Sequence, residues 1–188
     1  VKPVADLPKI EQARWMSGIE RVFEHEGGAV NDPADPGGAT NFGISLRFLQ
    51  SLDLRNGDID RDGDIDADDV AGLTQGRAAD LYYLQFWAPG RYGELPDGVS
   101  EQVFDFSVNM GPRQAHKLLQ RALRASLLRP IVDDGVLGPV TRGAVLSASP
   151  AVLVAALRSE AAGFYRGLVI ANPRLARYER GWLNRAYS

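Results

Sequence analysis

Apolar residues recur along most of the chain at spacings of three and four. Trp15, Ile19, Val22 and Phe23 form one such stripe, which predicts an amphipathic helix over residues 9 to 26. Gly27 and Gly28 follow at once and are expected to stop it as a left-handed cap. A short helix is predicted over residues 45 to 54 with Ser45 as its N-cap, and another over "TQGRAADLYYLQFW" with Thr74 as its cap and Pro89 beyond its end. The segments "SEQVFDFSVNMG", "RQAHKLLQRALRASLL", "GPVTRGAVLSA", "PAVLVAALRSEAAGFYRGLVIA" and "PRLARYERGWLNRAY" repeat the helical period. Strand signals are few, and a small hairpin around "PGGATNFGI" is the one expected. The fold class read from this pattern is mainly α.

Composition narrows the chemistry. The chain has 188 residues with 45% apolar content, enough for a core of its own. It contains no cysteine, which removes disulfides, thiol catalysis and Cys-ligated zinc. Its longest apolar run, residues 150 to 171, is broken by Arg158, Glu160 and Arg166, and reads as a buried helix rather than a bilayer span. The first residues lack the basic and apolar segments of a signal peptide.

Charge is unevenly placed. Residues 58 to 69 hold seven acids and one base, whereas residues 111 to 188 hold twelve Lys or Arg and four Asp or Glu. The basic half reads either as solvated helix faces or as a surface drawn to a polyanion such as a cell envelope or nucleic acid. The acidic stretch, "DIDRDGDIDADD", follows the twelve-residue calcium-loop pattern. Asp58, Asp60 and Asp62 occupy positions 1, 3 and 5, and Gly63 the sharp turn at 6. Asp64 and Asp66 follow at positions 7 and 9, and Ile65 at 8 is expected to tuck inward. Asp69 takes position 12, where a glutamate is usual, a departure that is similar to the loops of dockerin modules. One Ca2+, held for structural reasons, is the expected cofactor, since switch domains pair such loops.

A second loop is just as specified. "HEGGAVNDPADPGGATNFGI" (residues 25 to 44) is poor in both helix and strand formers, and such loops carry function. Glu26 shares a helix side with Val22 and Phe23, so its carboxyl is expected against apolar surface, where the protonated form is favoured. Asp35 lies in a turn between Pro33 and Pro36, and Thr40 follows five residues later. A general acid, a second carboxylate and a hydroxyl that orients water are the parts of glycoside hydrolysis. Each piece alone is commoner in ordinary helix ends and turns.

The stretch "EGGAVNDPADPGGATNFGIS" resembles the signature of glycoside hydrolase family 108, a group of phage and bacterial lysozymes. The segment from Ala78 to Leu123 is similar to the central part of that family, and "DDGVLGPVTRGAVL" to an adjoining peptidoglycan-binding segment of type 3. The resemblance implies one lysozyme-like domain with two lobes: residues 10 to 103 as the catalytic lobe with the loop 58 to 69 inserted, and residues 104 to 188 as a helical C-terminal lobe. It implies Glu26 as the catalytic acid, with Asp35 and Thr40 handling the water and Asp32 as the rival of Asp35. Ala29 stands where the family commonly has an aromatic residue. Asp105 and Asn109, four apart on one helix, are either a helix-packing pair or substrate contacts on a cleft wall.

The implied activity is an endolysin-type muramidase, cleaving the β-1,4 bond between N-acetylmuramic acid and N-acetylglucosamine. The implied partners are peptidoglycan glycan strands and, through the basic half, the anionic envelope, with no nucleic acid and a monomeric state. The expected place of work is the periplasm, after synthesis in the bacterial cytoplasm. A lytic transglycosylase and a non-catalytic, calcium-dependent wall-binding module are the alternatives.

Overall fold

The computed structural model describes residues 1–26 and 40–188. After a short 3-10 turn the order is α1 (Lys9–Glu26), β1 (Thr40–Asn41), β2 (Ile44–Ser45), α2 (Leu46–Gln50), α3 (Leu54–Gly57), α4 (Ala67–Gly72) and α5 (Gln75–Tyr82). A π-helical turn (Tyr83–Trp87) leads into α6 (Ala88–Gly90), followed by α7 (Val99–Met110), α8 (Pro112–Leu127), α9 (Pro139–Ser147), α10 (Pro150–Ala171) and α11 (Ala176–Tyr187). The strands pair antiparallel, Thr40 with Ser45 and Asn41 with Ile44. The fold is therefore mainly α, with one small hairpin among the described residues, where the sequence places it. The expected glycine cap at Gly27 and Gly28 lies outside the described residues.

Local chemistry sets the helix ends. The Ser45 hydroxyl accepts from the Phe48 amide, and Thr74 does the same for Arg77, so both are N-caps. Proline opens α8, α9 and α10, where its missing N–H has no helical partner to lose. The helix expected over residues 45 to 54 is two helices. Asp53 accepts from the Asn56 amide and starts α3 afresh, because its short carboxylate captures the backbone.

The chain forms two compact units, Ile19–Gln85 and a discontinuous one of Val1–Gly18 with Phe86–Ser188. In the larger unit α8 lays Ala115, Leu118, Leu119, Ala122 and Leu123 in one buried stripe. It packs along α7 and α10, and α11 closes on α10. Leu153, Leu157, Ala161, Ala162 and Tyr165 are buried along α10, in keeping with a core helix. No single described helix is long and apolar enough to cross a membrane.

Trp87 meets Trp15 and Phe104 edge to face at 5.4 and 5.1 Å between ring centroids, and Trp15 and Phe104 lie tilted at 5.6 Å. Beside them the Tyr92 hydroxyl contacts Ser107 at 2.7 Å and His116 Nε2 at 2.9 Å. Burial raises the Tyr92 phenol to about 12 and lowers the His116 imidazole. His116 serves the core.

Candidate active site

In the smaller unit α1 ends at Glu26, and the hairpin comes to lie against that residue. Phe42 and Gly43 connect the strands, both at positive φ, +51° and +76°. Gly43 sits so close to Glu26 that an added Cβ would stand 2.6 Å from both Cγ and Oε2. Only glycine fits there. The hairpin is anchored at several points. The Asn41 amide donates to the Val70 and Leu73 carbonyls at 3.2 and 3.3 Å, tying β1 to the end of α4. Tyr82 donates its hydroxyl to the Phe42 carbonyl at 3.0 Å. Phe23, one turn before Glu26, meets Phe42 and Tyr82 edge to face at 6.0 and 6.2 Å. Glu26 and the hairpin that begins with Thr40 are thus brought together. Asp35 and its rival Asp32 lie outside the described residues.

The acidic loop folds around Asp69. That carboxylate is buried and accepts from the amides of Ile59, Asp60 and Asp66. Burial pushes its pKa up, but the three amides together outweigh burial and hold it below the usual carboxylate value. Asp66 caps α4 and completes a capping box with Asp69. Asp58 accepts from Gly63 at 3.1 Å, Gly63 itself standing at φ +106°, and the Ile65 side chain turns inward onto Gly57.

Carboxylate oxygens of Asp58, Asp60 and Asp69 lie within 4.8 Å of one another, as do those of Asp64, Asp66 and Asp69. Asp62 belongs to neither group; its carboxylate accepts from the Asp64 amide at 3.1 Å. Partial desolvation in the loop, followed by repulsion from Asp62, Asp69 and Asp58, raises Asp60. Repulsion led by Asp62 raises Asp64. All the donors are hard oxygens, and ligands on opposite sides of a Ca2+ at about 2.4 Å would be about 4.8 Å apart, so the residues present fit that ion.

The pair on α7 takes different surroundings. Asp105 is fully buried and accepts from Arg185 of α11 at 2.8 and 3.2 Å. Asn109 is exposed, and its Oδ1 accepts from the Tyr165 hydroxyl of α10 at 2.8 Å.

The family described as Glycosyl hydrolase 108 matches residues 19–111, and the "Predicted Peptidoglycan domain" matches residues 114–187. The chain carries a glycosyl hydrolase 108 domain followed by a peptidoglycan domain. A solved structure titled "Structure of Brucella abortus SagA" is 28% identical, with a TM-score of 0.74 over 94% of this chain and 91% of that one. No curated protein gives a match. The chain is accordingly a glycoside hydrolase with peptidoglycan as its substrate or partner.

The glycosyl hydrolase 108 domain holds Glu26, Thr40, the acidic loop, Asp105 and Asn109. The partners of the last two, Arg185 and Tyr165, come from the peptidoglycan domain, so the two domains share side-chain contacts. Sequence reasoning passed over Asn41 and Gly43, and gave the Tyr82 hydroxyl no role. The available signal was Gly43 between two short runs at the expected hairpin, since glycine supplies the positive φ that such a turn needs.

Proposed function

We propose that this chain is a muramidase that hydrolyses the β-1,4 bond between N-acetylmuramic acid and N-acetylglucosamine. Glu26 protonates the departing glycosidic oxygen, while Asp35 and Thr40 position a water against the anomeric carbon. The observation that carries this reading is the seating of Glu26 at the end of α1 against the hairpin, within the glycosyl hydrolase 108 match. A second carboxylate about 6.5–9.5 Å from Glu26 leaves room for that water and inverts the anomeric centre, whereas about 5 Å means a covalent, retaining route. Asn109, exposed at the end of α7, offers its amide to the glycan while Tyr165 holds its carbonyl. Asp105 steadies the same helix from beneath. Asp58, Asp60, Asp62, Asp64, Asp66 and Asp69 hold one structural Ca2+. The protein works as a monomer in the periplasm, with its basic surface toward the anionic envelope.

The deciding experiment is mass spectrometry of fragments released from purified peptidoglycan, with Glu26→Gln run beside the native protein. Reducing muramic acid ends, absent with the variant, are the expected result. 1,6-Anhydro ends would identify a lytic transglycosylase and leave Asp35 without its role. Intact glycan after incubation with folded, calcium-loaded protein would mean a binding module.

A further inference from the structure

The hairpin turn is strained at a position where most hairpins are not. A two-residue connection of this kind needs positive φ at both places and is usually filled by Asn-Gly, Asp-Gly or Gly-Gly. Phe42 stands at the first, at φ +51°. An aromatic residue in the left-handed region is an outlier, and such outliers persist only where the surroundings hold them. Here Phe23 meets the Phe42 ring, and Tyr82 both packs on Phe23 and donates its hydroxyl to the Phe42 carbonyl. The next residue, Gly43, is the one laid flat against Glu26.

We propose that Tyr82 is a positioning residue for Glu26. Its hydroxyl holds the Phe42–Gly43 turn down on the Glu26 side chain and so fixes the direction in which that carboxyl presents its proton. This rests on the reading of Glu26 as the acid. The side chain of Glu26 has three rotatable bonds and leaves the last position of α1, where the helix restrains it least. The backbone of Gly43 bounds it at Cβ, Cγ and Oε2 together. Tyr82 is 2% exposed, so a phenylalanine there would keep the ring contacts and take away the donor to the Phe42 carbonyl. The hydroxyl is what reaches the turn.

The test compares Tyr82→Phe and Gly43→Ala with the native protein and Glu26→Gln, on soluble peptidoglycan fragments. It follows kcat, KM, the pH–rate profile and thermal melting. Misplacing a reacting group by about 1 Å can cost about a hundredfold, so Tyr82→Phe is expected to lower kcat about tenfold with KM held within about twofold. The pH–rate profile should move with it. Gly43→Ala should lose more, and if it does not fold, Tyr82→Phe alone carries the test. Native kcat and profile in Tyr82→Phe, beside an inactive Glu26→Gln, would overturn the proposal. So would a lower kcat with an unmoved profile that tracks a loss of folded protein. An inactive native protein, or a fully active Glu26→Gln, is a different result: it removes the acid reading itself and this proposal with it.

Discussion

Asp105 shows how far a single residue can be read from sequence. Its four-residue spacing from Asn109 on an apolar helix marks it as unusual, and periodicity assigns it a face. What meets that face is Arg185, eighty positions away, and no local pattern reports such a partner. Arg185 is 7% exposed and pairs with a carboxylate that is 0% exposed, so each charge depends on the other. Removing one partner of a buried pair leaves the second uncompensated, at a cost of about 3–5 kcal/mol. Asp105→Ala should therefore lower unfolding stability by that amount in urea titration. The double variant Asp105→Leu with Arg185→Met should recover much of it, since no charge is then left buried. Equal losses in single and double variants would mean that the remaining Arg185 charge is not the source of the cost. Tyr82 was half legible for the same reason: the pattern placed it in a helix, but the target of its hydroxyl comes from a different element.

Among the elements, α1 and the caps at Ser45 and Thr74 were legible because each depends on neighbours within four residues. The π-helical turn was not, since an extra residue in a helix leaves no mark on an apolar run. The acidic stretch was legible as a pattern, while the tie of the hairpin to the end of α4 through Asn41 was not. Calcium is expected to raise the melting temperature at neutral pH, and excess chelator to reverse this.

The pH dependence of that gain follows from Asp60 and Asp64. Their folded pKa values lie above the usual carboxylate value in the ion-free loop, so the stability they contribute is present below that value. It is lost as pH rises through the folded values. An ion removes the repulsion and needs deprotonated ligands, so the calcium-dependent gain should grow as pH rises from about 4 to 7. A melting temperature indifferent to chelator at pH 7 would remove the ion from the account.

At the scale of the whole molecule the discontinuous unit could not be seen in advance, because α1 and the π-helical turn (Tyr83–Trp87) each begin in one unit and end in the other. The charge division could be, and the units sharpen it. Residues 19–85 carry fourteen acids and five Lys or Arg, a balance of −9, while the remaining residues carry ten acids and sixteen bases, a balance of +6. The chain's sum of −3 therefore hides a strongly polar molecule. Peptidoglycan presents stem-peptide carboxylates at high density, which attract the basic unit and repel the acidic one. A bound Ca2+ would bring the acidic unit to −7 and weaken the repulsion. Salt screens both effects over a Debye length of about 10 Å at 0.1 M. Attraction dominates if the basic surface does the steering. Raising ionic strength should then slow hydrolysis of intact sacculi severalfold while leaving a short neutral oligosaccharide nearly unaffected. Equal slowing of both substrates would place the salt effect at the catalytic site, and faster hydrolysis of sacculi would mean that the acidic unit governs approach.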